Sequence, residues 1–472
     1  MTMKLLVREE PAIYKVLLGS TDSVPLSQAV KFNPRGHSEP PADSDLVSFV
    51  PMRAVTAESG HIDSKALRTW SEVKKGYTAF QNDDVIFAKI TPCMENGKFA
   101  LASALHNGRA AGSTEFHVFR PRPSLLPKYL LHFLFTPYVR RGAKMNMKGA
   151  AGQLRVPIQF FESLRIPLPA PEEQRRVVSH LDEQLSRLDA SVAALHRVQA
   201  NLKRYRASVL KSACEGRLVP TEAELARREG RNFETGTQLL QRILADRRVG
   251  VDGRSKYKEP SAPAAVHRSD SPEGWAQSNV DQLAEVGTGA TPKRDVQAFY
   301  EGGQIAWVTS GAVNGEYVDR ASEFVTERAL AETNLSIYPP GTLLLAMYGE
   351  GKTRGRCSEL RIAATTNQAL AAIQAAKPVR RYLRLLLECS YEETRKAASG
   401  GVQPNLNLSL VRAIRVPLPP LAEQHRIVAE ADRRLSLIRV AEAQVAANLA
   451  RAKRLRQSIL QAAFAHPGSA GQ

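Results

Sequence analysis

Ala346-Met-Tyr-Gly-Glu-Gly-Lys-Thr353 follows a strand-like apolar run and carries the Gly-Lys-Thr of a phosphate-binding loop, with Ala where the first glycine would stand. Such a loop must open into a helix, whose first amides and dipole hold the phosphate. Here Arg354-Gly355-Arg356 comes next, then the strand-like Arg361-Ile-Ala-Ala364, and no later apolar run ends in a metal-binding Asp. The stretch reads as a basic turn rather than an ATP site. Neither Asn-Pro-Pro-Tyr nor Asp-Pro-Pro-Tyr occurs, and no Gly-rich dinucleotide fingerprint follows a strand, so amino-methyl transfer has no visible home. Asp83 and Asp84 read as a turn cap ahead of a strand, not as magnesium ligands. Cys93, Cys214, Cys357 and Cys389 are scattered, without Cys-x-x-Cys or a neighbouring His cluster, which predicts neither zinc nor a disulfide framework. No catalytic centre and no metal site are expected.

What remains is contact chemistry. The chain has 472 residues, and its 65 Lys+Arg against 47 Asp+Glu give a formal charge of +18, a field that attracts a polyanion. A basic surface that aids solubility or meets acidic proteins is the alternative. Polar residues in predicted loops, able to serve a base edge or a phosphate, are Lys89, Asn96, Lys98, Ser113, Thr114 and Gln153 in the first half. In the second half they are Ser310, Lys352, Arg354, Arg356, Asn367, Gln368 and Gln403. For each, the competing role is turn chemistry or plain solvation. Gln153 with Gln403, and Thr114 with Thr366, look like positions that serve the fold.

These loops must be held by something, and a repeat shows what. Ser-Leu-Arg-Ile-Pro-Leu-Pro at 163–169 is answered by Ala-Ile-Arg-Val-Pro-Leu-Pro at 413–419, and the register of 250 continues without a gap through Glu173/Glu423, Gln174/Gln424 and Ser208/Ser458. After each proline-rich stretch, apolar residues recur three and four apart. In the first copy they are Val178, Leu181, Leu185, Leu188, Val192, Leu195, Leu202 and Val209. In the second they are Val428, Leu435, Ile438, Val445, Leu449 and Ile459. That is a heptad seam, so two long helices, 171–218 and 421–465, each want a helical partner. Pro171, Glu172 and Glu173 mark a helix start, while the prolines before it force extended chain. Basic clusters at 203–206 and 453–456 either meet a nucleic-acid backbone or solubilise the helices.

Two blocks of mixed character precede the repeats. Each shows strand-like runs (84–90, 341–347), Gly/Pro/Asn turns and a closing helix (127–141, 378–397). The predicted class is α+β, with an antiparallel coiled coil separating two globular domains. The segments are 1–162, a first head; 163–218, a long helix; 219–272, a linker with one short helix; 273–412, a second head; and 413–466, a second long helix. Gly112–Phe116 aligns weakly with Ala364–Gln368, so the heads share an architecture and differ in their turn residues. Composition is globular, with 43% apolar and 24% charged residues. No run of about 18 apolar residues suits a membrane span, so a reducing cytoplasm is expected.

At this point the sequence resembles the specificity subunits of type I restriction-modification systems. The resemblance is carried by the doubled Pro-Leu-Pro-x-x-x-Glu-Gln, by Lys256-Tyr-Lys-Glu-Pro260 and Pro272-Glu-Gly-Trp275, and by the head motifs 87–98 and 364–369. The first head has no counterpart of Pro272-Glu-Gly-Trp275. The resemblance implies two target recognition domains reading the halves of a split site in double-stranded DNA. It also implies two adenine-N6 methyltransferase subunits as partners, with restriction subunits able to join them. S-adenosylmethionine, ATP and Mg would then belong to those partners, and this chain would hold no cofactor. The rival is a structural adaptor whose basic heads bind protein.

Overall fold

The computed structural model describes residues 22–150, 152–249, 259–263, 271–348, 354–390 and 406–464. The chain divides into two compact units, one of residues 1–197 with 445–472, the other of residues 198–444.

The first unit starts with β1 (Ser23–Pro25), α1 (Leu26–Ala29) and β2 (Val30–Phe32). Then come β3 (Leu46–Val50), β4 (Leu67–Thr69), α2 (Trp70–Val73), β5 (Thr78–Gln81), β6 (Val85–Ala88) and β7 (Phe99–Leu101). β8 (Arg109–Gly112) and β9 (Phe116–Pro121) complete two four-stranded sheets, ordered β2-β9-β6-β7 and β4-β3-β8-β5. All four residues of β6 are buried, as a central strand covered on both faces requires. Phe87, Phe99, Phe119 and Phe161 fill the space between the first sheet and the helices. The helix expected at 127–141 is two, α3 (Pro127–Leu134) and α4 (Pro137–Met145). Thr136 caps the second through the Val139 amide, and Pro137 at its first position cannot continue the first.

After α5 (Ile158–Ser163), the first proline stretch forms β10 (Arg165–Pro167), antiparallel to β1. It leads into α6 (Pro171–Cys214). The early part of α6 turns Val177, Leu181 and Leu185 into the head's core, where Ile459, Leu460 and Ala463 also lie. Arg456 reaches Asp189 at 2.9 Å.

In the second unit, β11 (Ala276–Asn279), α9 (Val280–Leu283) and β12 (Ala284–Thr288) repeat the opening. β13 (Ile305–Val308), β14 (Tyr317–Val318), β15 (Glu323–Val325), α10 (Glu327–Glu332), β16 (Leu343–Ala346), β17 (Cys357–Leu360), β18 (Thr365–Thr366) and β19 (Leu370–Ala375) follow. The sheets, β12-β19-β16-β17-β14 and β15-β13-β18, keep the order of the first head over seven strands, including the parallel pair β3 with β8 and β13 with β18. The last strand moves: β5 pairs with β8 in the first head, whereas β14 pairs parallel with β17 in the second. The expected helix at 378–397 is α11 (Arg380–Cys389), and the rest of that stretch lies outside the described residues. α12 (Leu408–Arg412) and β20 (Arg415–Leu418), antiparallel to β11, lead to α13 (Leu421–Ala463). Val209 and Ala213 of α6 share a core with Ile427, Ala431, Leu435 and Ile438 of α13. In each unit the beginning of one long helix and the end of the other share a core, as an antiparallel pair requires.

The segment 219–272, read as a linker with one short helix, contains two: α7 (Glu222–Glu229) and α8 (Gly236–Val249), the latter where the short helix was expected. Leu239 and Ile243 of α8 are buried in the second unit's core, so this stretch is partly folded structure. Its polarity hides a narrow apolar stripe. A second correction concerns sulfur: Cys214 and Cys389, 175 residues apart in sequence, are paired as a disulfide, where the scattered spacing predicted none. Sequence distance carried no sign that α6 and α11 lie side by side.

Candidate nucleic-acid interface

Both proline joints are built alike, and they fix each head on its helix. Tyr129, buried on α3, donates its hydroxyl to the Pro167 carbonyl at 3.1 Å, and Tyr382, buried on α11, donates to Pro417 at 2.9 Å. The amides of Gln174 and Gln424 each donate to the carbonyl of the second proline, Pro169 or Pro419, at 2.8 Å. Proline leaves its carbonyl free while its ring forbids helix at the preceding residue, so a buried donor must meet that carbonyl. The repeated Gln is therefore structural. Glu423, the second repeated residue, accepts from the Glu222 amide at 2.8 Å and the Trp275 indole at 2.9 Å. Burial raises its carboxyl above the ordinary range, against those hydrogen bonds and nearby Arg426. This is what Pro272-Glu-Gly-Trp275 does, and it has no counterpart in the first head.

In the first unit the candidate side chains gather at one edge of the two sheets. The Lys89 amide donates to the Glu115 carbonyl, the Ser113 amide to Val50, and the Val156 amide to Lys89. These bonds bring the β6–β7 turn, the β8–β9 turn and the 148–156 loop together. Their tips carry Asn96, Thr114 and Gln153, all exposed. Ser113 is engaged, since its hydroxyl accepts the Glu115 amide at 3.2 Å. Lys98 is engaged as well, donating to the Met52 carbonyl at 3.1 Å. Arg155 grips Glu115 at 2.8 and 2.9 Å, and its guanidinium holds that carboxyl below the usual range. The acid beside the tips thus carries its own counter-charge.

The second unit repeats the device with other side chains. The Asn367 amide donates to the Val308 carbonyl, and the Asn367 side chain accepts the Ala369 amide at 3.2 Å. Gln368 stands at the exposed tip, where its side-chain oxygen accepts the Thr291 hydroxyl at 2.5 Å. A Cβ at Gly289 would overlap the Thr366 carbonyl, so glycine is what lets the 287–291 loop come this close. Arg356 donates to the Asn314 carbonyl at 3.1 Å. Ser310 begins the turn after β13, and Arg354 is half-buried just ahead of β17. Lys352 and Gln403 lie outside the described residues.

Register corrects the alignment of the heads. Phe116 pairs with Ala88 as Leu370 pairs with Ala346, so Thr114 corresponds to Gln368 and Ser113 to Asn367. Gly112–Phe116 opposite Ala364–Gln368 is two residues off, and Thr366 is a buried strand residue, not Thr114's equivalent. Lys98 corresponds to Arg356, because Phe99 faces Phe87 as Cys357 faces Leu345. Lys98 braces the stretch that follows β3, and Arg356 the stretch that follows β13, the equivalent strand.

A groove of about 400 Å³ beside the first tip brings Lys89 and Thr114 together with Asn33, Arg35, Lys74 and Tyr77. The last four come from loops far apart in sequence, and no local pattern marked them. Lys74 is paired with Asp43 at 2.7 Å, whereas among the described residues neither Arg35 nor Lys89 makes an ion pair with a carboxylate. No cluster of three or more His, Cys, Asp or Glu among the described residues could hold a metal ion, and no described helix is long and apolar enough to cross a membrane.

Of the helix-seam residues, Leu181, Leu185, Val209, Val428, Leu435, Ile438, Val445 and Ile459 are buried. Val178, Leu188, Val192, Leu195, Leu202 and Leu449 are half-buried.

A family model described as the type I restriction modification DNA specificity domain matches residues 55–202 and again 272–433. The EcoAI specificity subunit of Escherichia coli is 31% identical over 278 residues, 49% of this chain and 46% of that protein, so the match spans just under half the relative's length. The EcoEI specificity subunit of Escherichia coli is 25% identical over 463 residues, 86% of this chain and 76% of that protein. A solved chain from work on complex assembly and conformational transition of the type I R-M system shares the fold, with a TM-score of 0.64 at 20% identity over 94% of this chain and 98% of that one. The doubled family match falls on two heads with a shared core of strands and one kind of proline joint, and the chain belongs to the type I restriction-modification DNA specificity family.

Proposed function

We propose that this chain is the DNA-reading subunit of a type I restriction-modification complex, each head reading one half of a bipartite, asymmetric site in double-stranded DNA. The observation that carries this reading is the matched pair of turns after β8 and β18. The frame is the same, with Ser113 or Asn367 folding the turn, while the exposed tip residue is Thr114 in one head and Gln368 in the other. A common scaffold presenting unlike polar tips is what reading two different half-sites needs, since sequence is read through side chains at base edges. The formal charge of +18 supports a partner made of phosphates.

On this reading the chain contributes no catalytic group. Adenine-N6 methylation and restriction belong to partners, two methyltransferase subunits and two restriction subunits that can join them, which carry S-adenosylmethionine, ATP and Mg. Head-by-head exchange tests it. The first head of this chain is replaced by that of a relative within the assembled complex, and methylated adenines are mapped across a genome. The expected result is a change in one half-site only. Changes in both, or in neither, contradict the reading.

A further inference from the structure

The sheet β4-β3-β8-β5 of the first head has two faces with different fates. One packs Val50, Phe80 and Ala110 into a buried core. The other buries only Val47, Val73 and Ala111, because its cover is the four-residue α2, and Phe49 is left half-covered at the open end. Tyr77, 40% exposed, meets the Phe49 ring edge-on at 5.2 Å. Arg68 lies over the same ring, 4.6 Å from its centre.

The corresponding face of the second head is closed. Trp307 occupies the place of Phe49 on the equivalent strand and is 1% exposed, packed with Phe299, Val325, Ala329 and Leu335. Its indole donates to the Ala290 carbonyl at 3.1 Å. The two heads thus differ in that one leaves this sheet face open.

The open face is rimmed by cations. A groove of about 540 Å³ runs along it, with Phe49 in its wall and Arg53, Lys65 and Arg68 around it against a single acid, Asp63. All three cations are exposed, and none has an ion pair with a carboxylate among the described residues. The Phe49–Tyr77 contact joins this groove to the one that holds Lys89 and Thr114. An apolar floor rimmed by unpaired positive charge suits a chain of phosphates and sugars better than an apolar protein surface, since each phosphate neutralised releases a condensed counterion.

We infer that this face is a second DNA-contact surface, present in the first head only, which grips the backbone of duplex flanking the first half-site. Arg53, Lys65 and Arg68 take phosphates, and the Phe49–Tyr77 ridge packs against sugar. The inference rests on the DNA-reading role proposed above, and adds affinity that is independent of sequence.

The test uses the assembled complex and duplexes containing the mapped methylation site, with the flank beyond the first half-site either long or trimmed to a few base pairs. In the triple variant R53A/K65A/R68A, the slope of log affinity against log salt should fall by about 2 to 3 on the long duplex, with base preference unchanged. Trimming that flank should weaken the unaltered complex to the level of the variant, and trimming the other flank should not. The charge-keeping variant R53K/K65R/R68K should retain the slope, which separates lost charge from a damaged sheet. An unchanged slope in R53A/K65A/R68A overturns the inference, while Thr114→Ala, altering preference at the first half-site in the same assay, keeps the reading role standing. Loss of methyltransferase assembly by the triple variant with DNA binding intact also overturns it, in favour of a protein occupant. If the unaltered complex shows no preference for its mapped site, both proposals fall.

Discussion

At the turns after β8 and β18 the exposed tip residue differs between the heads, while the residue before it plays the same role in both. Ser113 and Asn367 fold their turns by accepting an amide two residues on, so replacing either should disturb the turn before it touches recognition. Thr114 and Gln368 do not fold their turns in this way, although the Gln368 side chain accepts the Thr291 hydroxyl at 2.5 Å. Gln368→Ala should relax preference at one position of the second half-site, by about 1–3 kcal/mol of discrimination, and leave the first untouched. Methylation mapping in a strain carrying the variant measures this, and loss at both half-sites would contradict it. Titration offers a separate check. Arg155 holds the Glu115 carboxyl below its unfolded value, so the pair stabilises the fold above the ordinary carboxylate range, and that contribution disappears as pH falls through the depressed value. Arg155→Met should therefore move the onset of acid unfolding to higher pH, read by circular dichroism. An onset that does not move would show the pair to be thermodynamically silent. The tips were legible in sequence as polar residues between strands. Arg35 and Tyr77 were not, because they reach the groove from separate loops.

At the scale of elements, the long helices and the joints were the most legible features, and for a physical reason. A helix seam and a proline stop are local patterns, and here each occurs twice in one register. Pro167 and Pro417 advertise the joint. Only the structure names what answers them: the hydroxyls of Tyr129 and Tyr382, drawn from helices earlier in the chain. The expected register between heads slipped by two residues because turn lengths differ between them, and turn length has no period to read. The burial of α8 was missed since only Leu239 and Ile243 of its apolar residues are deeply covered. A core role for the seam is testable at Leu181, which has no exposed surface and belongs to the first head's core. Leu181→Ala should cost about 2–5 kcal/mol, whereas Leu195→Ala, half-buried, should cost less. Denaturant midpoints of the two variants compare them directly, and equal losses would mean that burial does not set the cost here.

For the whole molecule, the helices are 44 and 43 residues of uninterrupted structure, each beginning in one unit and ending in the other. Helix rises about 1.5 Å per residue and duplex DNA about 3.4 Å per base pair. Inserting four residues into a helix adds roughly 6 Å, close to two base pairs. If the helices set the distance between half-sites, the unread spacer of the mapped site should lengthen while the bases read at each end stay the same. New half-site bases with an unchanged spacer would refute that.

The joints have an inheritance as well as a geometry. β1 lies against β10 and β11 against β20, so each head begins and ends on neighbouring strands. The turns and sheet faces in which the heads differ are enclosed between two adjacent strands, and one of those strands is spelled almost identically in both copies. A crossover between related genes at the Pro-Leu-Pro stretch would deliver a foreign head carrying its own Tyr, while the Gln that meets the second proline is already in register on the resident helix. On the reading role proposed above, one recombination event would bring a new vocabulary of sites without any change in how the subunit is built.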